Sequence, residues 1–458
     1  MRDFFVVMIV LGSVPLVLVQ PQIGILIWFW LSLMNPHRLT WGFAQEFRVA
    51  LVAGGATLIG WVFSKEPKFP PNSFIVYALA AFTFWVSLAA AFAIHPEFSI
   101  PKWEEIIKIL LMTFVTMCIV QSRERIHQLV WVIAMSLDFY GIKGGIFAIL
   151  SGGHYRVYGP EDTFIGDNNT LALALIMTLP LLQYLRVTTA TRWIRLGLMG
   201  AMGLTIISIL VSYSRGALLG ISVMLLFLLM KSRHRLVTLL ITAGVFGVTL
   251  WLLPPEWYER MNTISQYQDD ASVQGRFDAW TFAYKLALDH PLVGGGQLVG
   301  SDERLFMHYV PKAITARAAH SIYFEVLGET GFVGLGIFLI LLVASFRAAS
   351  NVLRLTRDRP ELAWANRLAA MIQVSFIGYA VTGAFLSLGF FDLYYALVAV
   401  IAVTQFVVRR ETAKSAGGEA IQKIGAPIFR PATALLGGDP NFSGMGSTGT
   451  MPPAHPGS

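Results

Sequence analysis

Apolar runs long enough to cross a bilayer recur along most of this chain, and they restrict its fold more than any single residue does. A hydrocarbon core of about 30 Å calls for roughly 20 apolar residues in a helix. Only helices or closed barrels cross it without stranding backbone N–H and C=O groups. The runs are continuous and do not alternate with polar residues, so they read as helices. With only 13% charged residues, the chain is also far from the roughly 25% of soluble domains. The expectation is an all-α, polytopic membrane protein with about twelve spans: Phe4–Met34, Val49–Phe63, Phe74–Ala93, Ile106–Val120, Leu129–Leu150, Leu171–Leu185, Leu196–Val211, Ala217–Met230, Leu236–Leu253, Phe332–Phe346, Leu368–Leu388 and Tyr394–Val408. Pro15 and Pro21 interrupt the first, which is therefore one broken crossing or a hairpin of two short helices. Gln20-Pro21-Gln22 follows this run in place of a small-residue cleavage site, so it reads as a retained span and not a signal peptide.

Charge placement orients these spans. The net charge of +7 comes from short connectors: Arg123 and Arg125; Arg186, Arg192 and Arg195; Lys231, Arg233 and Arg235; Arg347 to Arg367; Arg409 and Arg410. By the positive-inside rule these connectors are cytoplasmic, which argues against nucleic acid as a partner and predicts that both termini are cytoplasmic. The regions 94–105, 151–170, 212–216 and 254–330 then face outward. Five segments follow: membrane helices in 1–150 and 151–253, a periplasmic loop in 254–330 between the ninth and tenth spans, C-terminal helices in 331–410, and a Gly-, Pro- and Ser-rich tail in 411–458, expected to be a disordered cytoplasmic segment. Cys118 is the lone cysteine, which rules out an intrachain disulfide and a thiolate metal cluster. There is no P-loop, heptad pattern or internal repeat.

Chemistry concentrates in the polar island 254–330. It carries WYER (Trp257–Arg260), GRFDAW (Gly275–Trp280), DHPLVGGG (Asp289–Gly296) and AAHSIYFEVLGETG (Ala318–Gly331), with six basic and ten acidic residues between Glu256 and Glu329. Long loops translocate whatever their charge, so these arginines need another explanation.

The order of elements, a span ending in SYSRGALLG (Ser212–Gly220), a cationic turn, another span and then this loop, resembles the O-antigen ligase and polymerase superfamily over roughly Ser212 to Phe346. The N-terminal half resembles the O-glycosylation ligases associated with exosortase systems, through SLMNPHRLTWGFA (Ser32–Ala44), KILLMTF (Lys108–Phe114), SRERIHQLVWVIA (Ser122–Ala134), GIKGGIF (Gly141–Phe147) and YRVYGPEDTFIGDNN (Tyr155–Asn169). The resemblance implies an inner-membrane glycosyltransferase that moves a glycan from a polyprenyl-diphosphate (undecaprenyl diphosphate) carrier to an acceptor hydroxyl in the periplasm, without cofactor or metal. The acceptor would be lipid A core, a protein or another polysaccharide. A polymerase of the same superfamily, or a flippase of lipid-linked sugars, is the alternative.

Three residues are the catalytic candidates. Arg215 follows Ser212 and Ser214 at the outer start of a span, where helix N–H groups and a guanidinium suit a diphosphate; alone, it reads first as an interfacial arginine snorkelling to headgroups. Arg276 offers a second guanidinium, or a salt bridge to Asp278, Asp269 or Asp270. His320 precedes a helix whose positive end favours the neutral ring that a general base requires. The resemblance turns each toward the catalytic reading. Arg156, Arg260, Arg304, Lys312 and Arg317 are further outer cations with a claim on substrate, and so are Asn168 and Asn169, although helix capping also explains the Asp167–Asn169 run. At helical pitch Glu325 points away from His320. The spacing of His290, His308 and His320 matches no zinc motif, and Gly294–Gly296 reads as a turn.

Overall fold

The structure, a computed structural model, describes residues 2–45, 47–231, 253–262 and 271–424, with isolated positions between 236 and 247. Among these residues the chain is all helical. Eight helices are long and apolar enough to cross a membrane: α1 (Arg2–Val19), α4 (Phe74–Ala91), α6 (Arg123–Leu150), α7 (Asn168–Thr188), α8 (Arg192–Leu210), α13 (Ile322–Leu355), the run Pro360–Phe385 that contains α14 (Ala363–Thr382), and the Asp392–Lys414 part of α15 (Asp392–Ile424). Three apolar helices are shorter: α2 (Pro21–Met34), α3 (Val49–Phe63) and α9 (Arg215–Lys231). The expected span Ile106–Val120 is the more apolar end of a longer helix, α5 (Pro96–Ile119), whose first half carries Glu97, Lys102, Glu104 and Glu105. The expected span Leu236–Leu253 falls largely outside the described residues, as does 425–458 of the tail. Helix α15 runs past Arg410 to Ile424.

The first expected span is two helices. Gln20 breaks the run before Pro21, and α2 turns back along α1: Val10 of α1 and Leu31 of α2 share a small core with Val49 and Ala53 of α3, while a Cβ on Gly24 would collide with Val17 and Thr57. The Asp3 carboxylate accepts the Ala44 N–H (3.2 Å), and Arg38 reaches Asp162 in the 151–167 connector at 3.6 Å. The amino terminus therefore lies at the end of the bundle that carries this connector, opposite the basic turns. This departs from the expectation that both termini share the basic side, because α2 runs back along α1 and the run is a hairpin of two helices in place of one broken helix.

Packing inside the bundle relies on close approach, as it must where lipid supplies no hydrophobic drive between helices. In GIKGGIF, Gly141, Gly144 and Gly145 lie three and four residues apart and seat α6 on α8. A Cβ at Gly141 would fall 2.2 Å from Thr205 Oγ1, and one at Gly145 2.3 Å from the Leu204 carbonyl. Asp138, buried one turn earlier, accepts the Thr205 hydroxyl at 2.6 Å. Helix α7 is apolar on all sides because it is surrounded by protein, with Leu171 to Leu182 almost entirely buried.

Within the polar island the structure places three helices, α10 (Pro255–Asn262), α11 (Ala271–Asp289) and α12 (Glu303–Tyr309). Phe282 stacks on Phe306 at 4.7 Å, and with Ala279, Leu286, Val299 and Val310 they form a satellite core. The Gly294–Gly296 run is a joint. Gly295 N–H donates to the Gly328 carbonyl (2.9 Å) and Gly296 N–H to Glu329's (3.1 Å), while Ile94 N–H donates to the Gly295 carbonyl (3.0 Å). Here α13 breaks at Gly331 (φ 71°, ψ −175°), and Phe332 N–H turns to the Pro291 carbonyl at 2.9 Å. The loop is thus tied to the α4–α5 turn and to the kink of α13.

Candidate active site

Two turns converge on His320. Asp167 caps α7 by accepting the Thr170 N–H at 3.0 Å, and its neighbour Asn168, almost buried, donates Nδ2–H to the Ser212 carbonyl at 2.6 Å. That bond holds the Ser212–Ser214 turn, in which Ser214 Oγ accepts the Ala217 N–H (3.2 Å) and caps α9 just ahead of Arg215. Capping is therefore the role of Asp167 and Ser214, whereas Asn168 staples one turn to the next. Asn169 donates to Asn168 Oδ1 at 3.3 Å. On the other side of Arg215, Gly216 lies against Phe385, and two residues further on Ser387 Oγ accepts the His320 N–H at 2.8 Å. The segment 385–387 thus links the Arg215 turn to His320.

His320 adopts a left-handed backbone (φ 44°), a conformation that costs a non-glycine residue on the order of 1–3 kcal/mol and persists only where the surroundings impose it. Ser387 imposes it from one side. From the other, Trp280 donates Nε1–H to the Ala319 carbonyl at 2.8 Å while its ring stacks on Phe324 at 5.0 Å. Trp280 and Arg276 are four residues apart on α11, so one face of a single helix braces the His320 peptide and brings a guanidinium toward it. Burial holds the His320 pKa below its ordinary value, Arg276 and then Arg317 push it the same way, and Asp167 opposes them. The ring is kept neutral mainly by burial and by an arginine. The helix end invoked from sequence is not the leading cause.

Arg317 completes this cluster. Its side chain lies across Gly275, where a Cβ would come 2.8 Å from Arg317 Cδ, so the glycine of GRFDAW makes room for a cation. Arg156 reaches the Arg215 turn, with its guanidinium 6.0 Å from the ring of Tyr213; Tyr213 itself is left-handed (φ 57°) and donates its hydroxyl to the Gly153 carbonyl at 2.8 Å. Arg304 and Lys312 are exposed, on and just beyond α12. The side chain of Arg260 lies outside the described set, as do Asp269 and Asp270. Among the described residues no group of three or more His, Cys, Asp or Glu side chains is arranged to hold a metal ion.

Beside this cluster opens a cavity of about 340 Å³, walled by Arg317–Ala319, Asp167, Phe164, Phe324 and Ser387, and floored by Lys102, Glu325 and Glu329. His320 and Arg276 flank it without forming its lining. Lys102 escaped the sequence reading of the site, and Glu325 was considered there only as a partner of His320. His320 lies outside the helix, with a left-handed backbone, so helical pitch does not relate it to Glu325, which lines the adjoining cavity.

The Arg215 turn, α11 and His320 all fall in one segment that matches a known family. Residues 1–190 match a family of unknown function. No curated protein matches the chain. Residues 200–339 match the O-antigen ligase family, which supports the resemblance of this membrane-embedded chain to the O-antigen ligase/polymerase superfamily.

Proposed function

We propose that this protein is a glycosyltransferase of the inner membrane that moves a glycan en bloc from a polyprenyl-diphosphate carrier to an acceptor hydroxyl on the periplasmic side. One observation carries the reading: a half-buried histidine, held toward its neutral form, sits within the electrostatic reach of Arg276 and Arg317 and is tied through 385–387 to the turn that bears Arg215. The family match supports a lipid-linked glycan donor and a membrane setting.

In this mechanism Arg215 and Arg276 grip the diphosphate, and Arg317 and Arg156 add positive charge around it. The acceptor hydroxyl gives its proton to His320 as its oxygen attacks the anomeric carbon. The bond from that carbon to the phosphate oxygen breaks, and its electron pair leaves on the diphosphate, where guanidinium groups stabilise the developing charge. A diphosphate is a good enough leaving group to need no general acid, and a single displacement inverts the anomeric centre. Asp167, whose charge already acts on the ring, stabilises the imidazolium once the proton has moved.

Reconstitution of the purified protein with a defined polyprenyl-diphosphate glycan and separate lipid A core, peptide and polysaccharide acceptors tests the reading. Transfer to any of these with release of the free diphosphate carrier supports it. Elongation of the glycan on its own carrier would identify a polymerase instead, and movement of the donor across the bilayer without bond cleavage would identify a flippase and sink the proposal.

A further inference from the structure

Away from the transfer centre, a groove of about 600 Å³ opens between α4, α13 and α15. It lies at the end of the bundle that carries the basic turns: Arg409 lines it, and the next residue, Arg410, donates Nη2–H to the Gln121 carbonyl at 3.2 Å, just ahead of the Arg123–Arg125 turn. Two guanidinium groups line the groove, Arg347 from α13 and Arg409 from α15, and neither meets a carboxylate or another hydrogen-bond acceptor among the described residues. Arg125 at the same end shows the contrast, because both oxygens of Glu66 hold it, at 2.8 and 2.9 Å. Like charges on one groove repel each other, and an anion that both can reach relieves the repulsion.

The wall of the groove supplies a second, independent observation. Gln405 lies one turn before Arg409 on α15, is only 6% exposed, and makes no hydrogen bond with any described residue. Its amide is nevertheless not sealed off: the atoms keep accessible surface, and the side chain lines the groove. Burying an amide without a partner is unfavourable, so a partner that enters the groove stabilises it. Asn351, one turn beyond Arg347, accepts from Arg354 Nη2 at 3.0 Å, which leaves its amide N–H groups to donate. The rest of the groove is apolar. Leu339, Ile340 and Val343 are exposed and precede Arg347 by eight, seven and four residues, so they share its face of α13. They extend the groove about 12 Å from the arginine at 1.5 Å per residue.

We propose that this groove holds an anionic phospholipid, with Arg347 and Arg409 on the headgroup phosphate, the Gln405 amide hydrogen-bonded to the polar part of the lipid, and an acyl chain along Leu339, Ile340 and Val343. Basic pockets between membrane helices take anionic headgroups in this way. A free anion would use the arginines but not the apolar strip. The glycosyltransferase reading plays no part in the proposal.

The test titrates the full-length protein, delipidated in a nonionic detergent, with dioleoyl-phosphatidylglycerol, dioleoyl-phosphatidylcholine or glycerol phosphate, and native mass spectrometry counts bound lipid and protein copies. The first phosphatidylglycerol should bind about tenfold more tightly than phosphatidylcholine. Replacing Arg347→Gln and Arg409→Gln together should remove that preference. Arg192→Gln with Arg195→Gln, which takes two exposed charges from the basic turn before α8 and outside the groove, should keep it. Gln405→Leu should weaken the first phosphatidylglycerol by up to about tenfold at an unchanged melting temperature, because the amide has no protein partner to lose. An undiminished preference in the Arg347→Gln, Arg409→Gln variant, or its loss in the control pair as well, overturns the site. Competition by glycerol phosphate as effective as that of the lipid would make it a site for free anions, and a dimer that separates when the two arginines are replaced would make the groove an interface between copies; either result overturns the lipid proposal.

Discussion

The joint around Gly294–Gly296 and the cluster around His320 lie on the same loop and are built on opposite principles. In the joint the polar groups are spent on structure. Trp85 donates to the Leu292 and Thr330 carbonyls at 3.1 Å each, fully buried Gln297 exchanges bonds with Ser99 (2.6 and 3.0 Å) and gives Nε2–H to the Val86 carbonyl, and a Cβ on Gly296 (φ 88°) would fall 2.3 Å from that of Ala93. Around His320 the backbone is equally well held, by Ser387 and Trp280, but here Arg276, Arg317 and Asp167 all act on one imidazole, and a nearby carboxyl oxygen has no hydrogen-bond partner among the described residues. The lesson is that a rigid, satisfied joint allows an adjoining segment to hold a strained backbone around a titratable side chain, as preorganised sites require.

Breaking the joint should have the largest effect. Gly296→Val demands a left-handed backbone from a β-branched residue and drives its Cβ into Ala93, so little folded protein should be recovered by size-exclusion chromatography. Gly300→Ala, where an added Cβ would come no closer than 3.6 Å to the Phe282 ring, should leave yield and melting temperature as in the wild type. If both behave alike, the joint is not what holds the loop.

Next in size is Arg276→Lys. Lysine keeps the charge but loses the forked geometry, and removing one well-placed donor to a developing anion typically costs about 10²–10³ in kcat. The folded protein should be intact and turnover impaired on that scale; near-normal turnover would mean that charge alone suffices.

The pH response is smaller and has a definite sign. Because the folded His320 binds its proton less readily than an unfolded one, whose pKa is 6.5, the neutral base and its contribution to stability are fully present above that value and are lost as pH falls through the lowered one. The rate should therefore hold through pH 6.5 and then fall by up to tenfold per unit at lower pH. A rate that already declines between pH 8 and 7 would contradict the environment assigned to the ring.

The smallest effect is expected from Ser99→Ala, which strips a partner from buried Gln297. It should cost roughly 1–3 kcal/mol of stability and leave KM and kcat alone; a kinetic defect without loss of stability would join the α4–α5 turn to the site.

The parts of this arrangement that were legible in the sequence are those with local causes. Apolar runs gave the helices, and Ala279, Phe282, Ala283 and Leu286 recur at helical spacing inside the polar island, a signal for α11 that was there to be used. Arg276 and His320 stood out as charged or titratable residues beside turn-forming neighbours. The hairpin of α1 and α2 was left open, because a proline in an apolar run marks a break but not the direction taken after it. Lys102 and Asp167 could not have been assigned, since each comes to the cavity from its own distant connector. Glu325 and Glu329 were visible in the sequence, but the cavity they line exists only once α5, α11 and the 163–167 turn have packed around it.

The central claim is that His320 is a base and not a ligand of the donor. The direct measurement compares donor affinity with turnover in His320→Ala, using the same polyprenyl-diphosphate glycan for both. Loss of a positioned general base costs about 10²–10⁴ in rate, so turnover should fall by that factor while donor affinity stays within about twofold of the wild type. A variant that still turns over normally, or one that no longer binds the donor at all, would contradict the account and return His320 to the architecture of the loop or to the carrier site.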